Sequence, residues 1–567
     1  MKRSHGVALA ALLAFSLAVL AHAESLGYWF TSYDSIALVE TSRIASLADL
    51  RTIFTKPLLY GTSYLDAGRF YRPVVNLVYA AEYALWGVDP FGYHLTNLLL
   101  HGFVSVLVVL TIRSLTDSLR TGALTGALFA VHPLGTDVVP AISRRQDMLL
   151  ALFGLLALWL FVESVRRDSR RLRVGAAVAY GLALFSKETA AVVGPLAFLW
   201  LVLEGPSLRR RSTYRRAIVA VAPLAAVAVG YLAVRFAVLG GIGGYTHDPP
   251  LSRTLLFPVQ YVLSLVYQAD VLAAIGGVST PLVIAVVAAV PLALLVSFAR
   301  DRALGRITPR RALPLVVAIV GFAVLLVVAR FPGASPLASI DAVDHAGWYT
   351  AGIVFAIAAA SALLAAVASA RSFTAGRSMG FFVVWLLSPL PLFFLAKQFA
   401  FRDAYFFAIP LLALAAVCLD AALPSVDDWR ARSDRDTDAL VVVAVLVLLL
   451  PSLAASPLLY ADSGWGETSD VTRTALTEID RSVSEVNAGT PVAIAGVPTK
   501  IDYHPQRLGQ AHKVTMLQPH SVRSWLRLQG HDNRVTFGRL QSFHSVPGNV
   551  STKTRENERL LIWLRYN

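Results

Sequence analysis

The chain has 567 residues, 56% of them hydrophobic and only 15% charged, with a mean hydropathy of +0.60. Soluble domains carry roughly 25% charged residues, so composition excludes a soluble globular protein and defines a membrane protein. A formal net charge of +14 would suit a nucleic-acid binder, but its placement excludes that class. The basic clusters RRDSRRLR (166–173), RRRSTYRR (209–216) and RDRALGRITPRR (300–311) fall at every second gap between apolar runs, which is the positive-inside pattern.

Apolar runs of about 17–25 residues, or close to that spanning length, recur along most of the chain. In order they lie near 6–22, 93–113, 121–139, 148–165, 174–186, 189–203, 217–239, 281–299, 312–330, 350–370, 379–396, 404–422 and 439–458, and they predict an α-helical multi-pass protein with about thirteen spans. The first segment, MKRSHGVALAALLAFSLAVLAHAES, reads either as a span or as a cleavable signal peptide; both place Asp34 on the outer face. Residues 24–92 form a long outer loop with amphipathic stretches at 48–56 and 74–87. The run 173–203 is broken by Lys187-Glu188 and predicts two short spans meeting at that dipeptide. Residues 254–277 contain Pro258, Gln268 and Asp270 and read as an interfacial or re-entrant helix. Cys418 falls within a predicted span, so no disulfide or thiolate metal site is available within the chain.

Residues 1–459 thus form the membrane domain, and the polar remainder, 460–567, a small C-terminal α/β or α+β domain. Within it 468–486 has helical apolar spacing, while 491–497 and 560–566 read as strands. The arginine pattern puts the N-terminus in the cytoplasm and the C-terminal domain outside the cell membrane.

A charged side chain at mid-bilayer costs at least ~2.5–3.5 kcal/mol, and the middles of the predicted spans are almost free of charge. Charges gather instead at the outer ends: Asp34, Arg72, Asp137, Arg144, Arg145, Asp147, Lys187, Glu188, Arg235, Lys397, Arg402 and Asp403, with His94, His101, His132 and His345 in or near the same layer. Each alone reads equally as a loop residue in water. Together, in very short loops between apolar helices, they point to a shared polar cavity at the outer leaflet. A secondary transporter binds near the midplane and often carries internal repeats, and neither signal is visible. An enzyme acting on a lipid headgroup needs its carboxylates and cations at one interface, and that matches.

Six segments carry a family resemblance: SYDSIAL (32–38), FYRPVVNLVYAAEYALWGVDPFGYHLTNLLLH (70–101), HPLGTDVVPAISRRQDML (132–149), ALFSKETA (183–190), HDPPLSR (247–253) and KQFAFRDAYFFAIP (397–410). Their order and position relative to the spans resemble the GT-C glycosyltransferases, integral membrane enzymes that use polyprenyl-phosphate sugars. The branch they are most similar to contains the transmembrane-and-TPR O-mannosyltransferases and their prokaryotic relatives. There are departures. The family's Asp-Asp in the first loop is Asp34-Ser35 here, its Gly-Arg-Ala-Asp element is Arg144-Arg145-Gln146-Asp147, and its basic Arg-Tyr element is Arg402-Asp403-Ala404-Tyr405. No TPR array follows the membrane domain.

The resemblance implies transfer of a hexose such as mannose, with inversion, from a polyprenyl-phosphate donor to a protein, glycan or lipid acceptor. Asp34 would be the catalytic carboxylate that takes the acceptor's proton, and Asp137 a second catalytic carboxylate orienting the acceptor or a cation. Two such carboxylates could hold Mg²⁺ or Mn²⁺, although the residues do not require a metal. Arg145, Lys187 and Arg402 would face the leaving phosphate, since preorganised cations stabilise developing negative charge. Arg72, His94, His101, Asp147, Glu188 and Tyr405 would line the substrate site. Plainer readings stand beside these: a local ion pair for Lys187-Glu188, packing for His101, an interfacial aromatic belt for Trp29 and Tyr33. For the whole chain the alternatives are a lipid-linked sugar transporter and a non-catalytic scaffold with the same fold.

Overall fold

A computed structural model of the chain describes residues 2–32, 34–205, 209–246, 254, 257–266, 373–396, 398–422, 464–503, 512–543, 550–556 and 560–566. The spans expected at 281–299, 312–330, 350–370 and 439–458, the later part of 254–277, and the residues Tyr33, His345 and Lys397 lie outside these. Among the described residues five helices are long and apolar enough to cross a membrane: His5–Gly27, Pro90–Thr116, Ile142–Arg166, Arg211–Leu239 and Arg377–Ala396. The chain is a mostly helical, multi-pass integral membrane protein.

The first helix, α1 (Lys2–His22), lies against α5 (Pro90–Thr116) and α6 (Leu119–Ala130). Ala14, Ala18 and Ala21 are its buried stripe. Small residues let these backbones approach closely, which is how helices associate without a hydrophobic driving force between them. On α6 the sequence GALTG places Gly122 and Gly126 on one face. A Cβ at Gly122 would stand 2.7 Å from the Val109 carbonyl oxygen of α5, and one at Gly126 2.4 Å from the Val109 side chain.

The span expected over 121–139 is interrupted. The α6 helix ends at Ala130, a turn follows at His132-Pro133, and a short α7 (Gly135–Val138) leads into a 3₁₀ turn at Ile142–Arg144. Pro133 cannot continue a helical hydrogen-bond ladder, a constraint that hydropathy does not register. Next come α8 (Arg145–Arg166) and α9 (Arg170–Ser186). The two short segments expected to meet at Lys187-Glu188 are observed: α9 ends at Ser186, residues 188–192 form a 3₁₀ turn, and α10 (Val193–Glu204) departs from it. Beyond α11 (Arg211–Leu239) the described helices are α12 (Phe257–Val266), α13 (Phe373–Leu387), α14 (Leu390–Ala396) and α15 (Ala408–Ala422).

The segment that the sequence predicts to be the first outer loop is structured. It carries α2 (Ser35–Thr41), α3 (Leu47–Thr55, started by a Ser46/Asp49 capping box), and α4 (Pro73–Trp86). Strand β1 (Gly68–Arg69) pairs antiparallel with β2 (Gly244–Tyr245) after α11. Near the C-terminus, α16 (Trp465–Ser484) and α17 (Pro519–Leu528) pack with two small mixed sheets. The strands are β3 (Val492–Ala495), β4 (Val497–Tyr503), β5 (His512–Thr515), β6 (Val535–Phe537), β7 (Leu540–Phe543), β8 (Val550–Glu556) and β9 (Leu560–Tyr566). One sheet has the order β6-β3-β9-β8 with β3 parallel to both neighbours; the other is β5-β4-β7. Buried Val471, Ala475, Leu476, Ile479 and Val483 recur at helical spacing on α16, as the sequence predicts.

This C-terminal unit does not stand apart. Phe30, Ile36, Val39 and Tyr79 of the first outer loop share one buried apolar cluster with Val471, Ile479, Val522 and Leu526 of the C-terminal unit. Helix α17 lies directly on α2.

Replacing Gly122 by valine drives a side chain into the α5 backbone, a form of overpacking that typically costs about 1–3 kcal/mol. The expected result is a lower thermal midpoint in detergent, while Gly230→Val, where a Cβ meets nothing within 4 Å, leaves it nearly unchanged.

Candidate active site

Asp34 occupies the N-cap of α2, the position where a carboxylate commonly accepts a backbone N–H, yet its side chain makes no capping bond. The residues around it are clamped. The Thr31 hydroxyl donates to the Pro140 carbonyl, Ser32 and Ser143 share a 2.7 Å hydroxyl contact, and the Ser143 N–H donates to Ser35 Oγ at 3.2 Å. Ser32 adopts a left-handed backbone (φ +68°), a conformation a non-glycine residue holds only when its surroundings fix it. One carboxylate oxygen, Oδ1, meets His520 Nε2 of α17 at 3.0 Å. The other, Oδ2, has no hydrogen-bond partner among the described residues, and the side chain keeps 12% of its surface open.

Arg145 opens α8 and is fully buried. Its guanidinium pairs with Glu82 of α4, donates from Nε and Nη2 to Asn97 Oδ1 at 3.0 and 2.9 Å, and donates to the Tyr93 carbonyl at 2.8 Å. It also lies over the Tyr79 ring at 4.7 Å. These bonds engage all three guanidinium nitrogens. Lys187 sits at the α9–α10 turn, its ammonium between Asp147 and Asp403, the latter at 2.7 Å. Burial alone would lower its pKa, but the two carboxylates prevail and raise it. Arg72 forms a fork on Glu188 at 3.2 and 2.7 Å, with Arg235 on the far side at 3.5 Å. Burial works to raise the Glu188 carboxyl, yet Arg72 and Arg235 outweigh it and pull it down to about 2. Because the folded value is depressed, this cluster stabilises fully above the ordinary value of 4.5 and loses that contribution only as pH falls toward 2.

The histidines are also committed. His94 Nε2 bonds the Trp29 carbonyl at 2.8 Å; His101 bonds the Tyr405 hydroxyl at 2.6 Å and the Ala130 carbonyl at 3.1 Å, with the His22 ring edge-on at 4.8 Å. Both are fully buried, so they brace the first loop and the helix bundle. Asp137 is half-buried in α7, and Arg402 is half-buried in a 3₁₀ turn beside Asp403. Among the described residues no three His, Cys, Asp or Glu side chains come together around a metal-sized point.

Tyr79 bonds the Ile142 carbonyl at 2.7 Å and lies within electrostatic reach of Asp34, Arg144, Arg145 and Asp147, while Lys187 feels Arg72. Of the polar residues predicted from sequence, Arg72, Arg145, Asp147, Lys187 and Glu188 are thus drawn into neighbouring ion-pair clusters. Two residues acquire importance that sequence reasoning did not assign. His520 carries no local motif. Arg144 is half-buried, follows Ser143 on the clamp that holds Asp34, and makes no side-chain hydrogen bond or ion pair among the described residues.

Residues 71–231 match the family described as Dolichyl-phosphate-mannose-protein mannosyltransferase. The chain is 32% identical over 157 residues to Protein O-mannosyl-transferase tmtc2 of Xenopus laevis, covering 27% of this chain and 19% of that protein. To Protein O-mannosyl-transferase Tmtc2 of Drosophila melanogaster it is 30% identical over 205 residues, 35% of this chain and 22% of that one. The chain thus spans about a fifth of the length of these curated relatives. A solved structure of ArnT from Cupriavidus metallidurans bound to undecaprenyl phosphate aligns over 93% of this chain and 85% of its own at 17% identity, with a TM-score of 0.38. The resemblance to GT-C glycosyltransferases of the protein mannosyltransferase type, read from the motifs, stands. The matched segment includes Arg72, His94, His101, Asp137, Arg145, Asp147, Lys187 and Glu188, and leaves out Asp34, Arg402, Tyr405 and His520.

Breaking a buried ion pair from one side typically costs about 3–5 kcal/mol. Arg145→Gln and Glu82→Gln are therefore expected to lose folded protein to a similar extent, as read by monodisperse yield and thermal midpoint in detergent. Normal folding of Arg145→Gln with selective loss of lipid-phosphate binding would return Arg145 to direct donor contact.

Proposed function

We propose that the chain is an integral membrane glycosyltransferase of GT-C type, with about thirteen spans. It moves a hexose, mannose by resemblance, from a polyprenyl-phosphate donor to a protein, glycan or lipid acceptor at the outer face. The observation that supports this reading best is Asp34: a rigidly held carboxylate with one oxygen uncommitted, at the edge of a cation-rich layer.

In the proposed reaction the acceptor hydroxyl approaches Oδ2 of Asp34, which takes its proton as the oxygen attacks the sugar's anomeric carbon. The bond from that carbon to the phosphate oxygen breaks, and its electron pair leaves on the polyprenyl phosphate with inversion at the carbon. Arg144 and Arg402 are assigned to the leaving phosphate, because arginine suits bidentate phosphate contact and the charges of Arg145 and Lys187 already face internal carboxylates. Lys187, Asp147, Arg72 and Glu188 then shape the site through their mutual pairing, as His94, His101 and Tyr405 do by fixing the elements around it. Asp137 is assigned to orienting the acceptor. A cation such as Mg²⁺ or Mn²⁺ is not needed for any of these steps. The near absence of charge from the middles of the predicted spans favours this reading over a transporter, whose substrate sits near the midplane.

Asp34→Asn keeps the shape and removes the proton acceptor, so turnover with a polyprenyl-phosphate sugar should fall by roughly 10²–10⁴-fold, the usual worth of general-base catalysis. Folded yield and lipid-donor binding should persist. Near-normal transfer by the Asn variant removes Asp34 from the mechanism, and efficient use of a soluble nucleotide sugar alone would refute the donor.

The proposed orientation has the first outer loop and residues 460–567 outside, with 166–173, 209–216 and 300–311 in the cytoplasm. A single cysteine placed at Lys500, in a background lacking Cys418, should react with an impermeant thiol reagent added to intact cells. Labelling only from the cytoplasmic side inverts the scheme.

A further inference from the structure

The first outer loop and the C-terminal unit meet through contacts that converge on Asp34. Besides sharing an apolar cluster, they are joined by Trp29, whose backbone N–H donates to Ser469 Oγ at 2.6 Å and whose ring meets that of Trp525 edge-on at 5.0 Å. Helix α17 runs over α2 with Ser524 at 3.3 Å and Arg527 at 3.8 Å from the Glu40 carboxylate. At the other end of the same helix, in its first turn, His520 meets Asp34. The Tyr64 ring, also from the first loop, stands edge-on to the His520 ring with centroids 6.1 Å apart. Both members of the pair are largely enclosed, with side-chain exposures of 10% and 12%.

An aspartate at an N-cap would ordinarily spend an oxygen on its own helix. Asp34 does not, and the bond it makes instead crosses 486 positions of sequence to the C-terminal unit. A base that abstracts a hydroxyl proton must hold one lone pair on the line of attack, and small misplacements of such groups cost large factors in rate. An imidazole N–H on Oδ1 fixes the carboxylate plane and leaves Oδ2 directed to the acceptor.

Resting on the assignment of Asp34 as the base, we infer that His520 is the positioning residue for Asp34 and that the docked C-terminal unit completes the active site. The outer loop alone then supplies a base whose carboxylate is free to rotate. Activity therefore requires the whole chain, although every residue that touches donor phosphate in the proposed reaction lies in the membrane domain.

The test uses the full chain in detergent or liposomes, with transfer from a polyprenyl-phosphate mannose as readout and thermal midpoint measured beside it. His520→Leu removes the donor and should lower kcat by about 10- to 100-fold, with KM for the lipid donor changed less than about twofold and the midpoint close to that of the parent. His520→Gln retains an N–H donor and should recover kcat to within about fivefold of the parent. In an Asp34→Asn background, His520→Leu should cause no further fall, because the residue acts only through that carboxylate. Arg527→Ala loosens the same helix contact away from Asp34 and should leave kcat nearly intact. Parental kcat in His520→Leu, equal losses in Arg527→Ala, or multiplying losses in the double variant would each overturn the inference. If His520→Leu does not fold, His520→Gln decides: a folded Gln variant as inactive as Asp34→Asn also overturns it. Normal transfer by Asp34→Asn is a different failure, that of the base assignment itself.

Discussion

Charge compensation between elements distant in sequence is the constraint on which the polar end of the helix bundle around Arg145 and Lys187 depends. A charge buried against apolar helices is tolerated only when an opposite charge and further hydrogen bonds meet it, and here each such partner comes from another element. Arg145 ties α8 to α4 through Glu82 and to α5 through Asn97. Lys187 ties the α9–α10 turn to Asp147 of α8 and to Asp403 ahead of α15. Glu188, the next residue, ties the same turn to Arg72 of the outer loop and Arg235 of α11. Two adjacent residues of opposite sign thus organise two opposite clusters, and the turn that carries them has little freedom to sit elsewhere.

That organisation changes what the cations can do. A lysine between two carboxylates presents no net positive charge to a phosphate, and an arginine bonded inside the protein at all three nitrogens has few donors left to offer. In the proposed reaction the work therefore falls to charged groups at the edge of the network, Arg144 and Asp34 among them. The paired residues keep their importance by another route: they hold α4, α8 and the 3₁₀ turn at Ile142–Arg144 in register, and the clamp of Ser32 and Ser35 on Ser143 is built on that turn.

The C-terminal unit joins the same construction through the loop that carries Asp34. Its apolar face merges with that of the outer loop, so its position relative to Asp34 is set by burial of surface as well as by polar contacts. Apolar burial is worth about 25 cal/mol per Å² but is non-directional. The polar contacts at Ser469, Ser524 and His520 choose one arrangement among those that burial would allow.

The sequence by itself determined the membrane class and many of the described local elements, because hydropathy and amphipathic period are local or additive properties. The outer-loop helix expected over 74–87 is Pro73–Trp86, the break at Lys187-Glu188 is a turn between two helices, and the strands expected at 491–497 and 560–566 are Val492–Ala495 and Leu560–Tyr566. Hydropathy overran the helix end at Ala130, since it averages across Pro133 without sensing the lost hydrogen bond. Which oxygen faces which nitrogen was decided only by the tertiary structure. Arg144 and Arg145 are indistinguishable as letters, yet one points into a cage of Glu82, Asn97 and Tyr93 and the other does not. His520 bears no motif at all; it gains a partner because the fold lays α17 across α2. Pair interactions over hundreds of residues depend on geometry that no local pattern encodes.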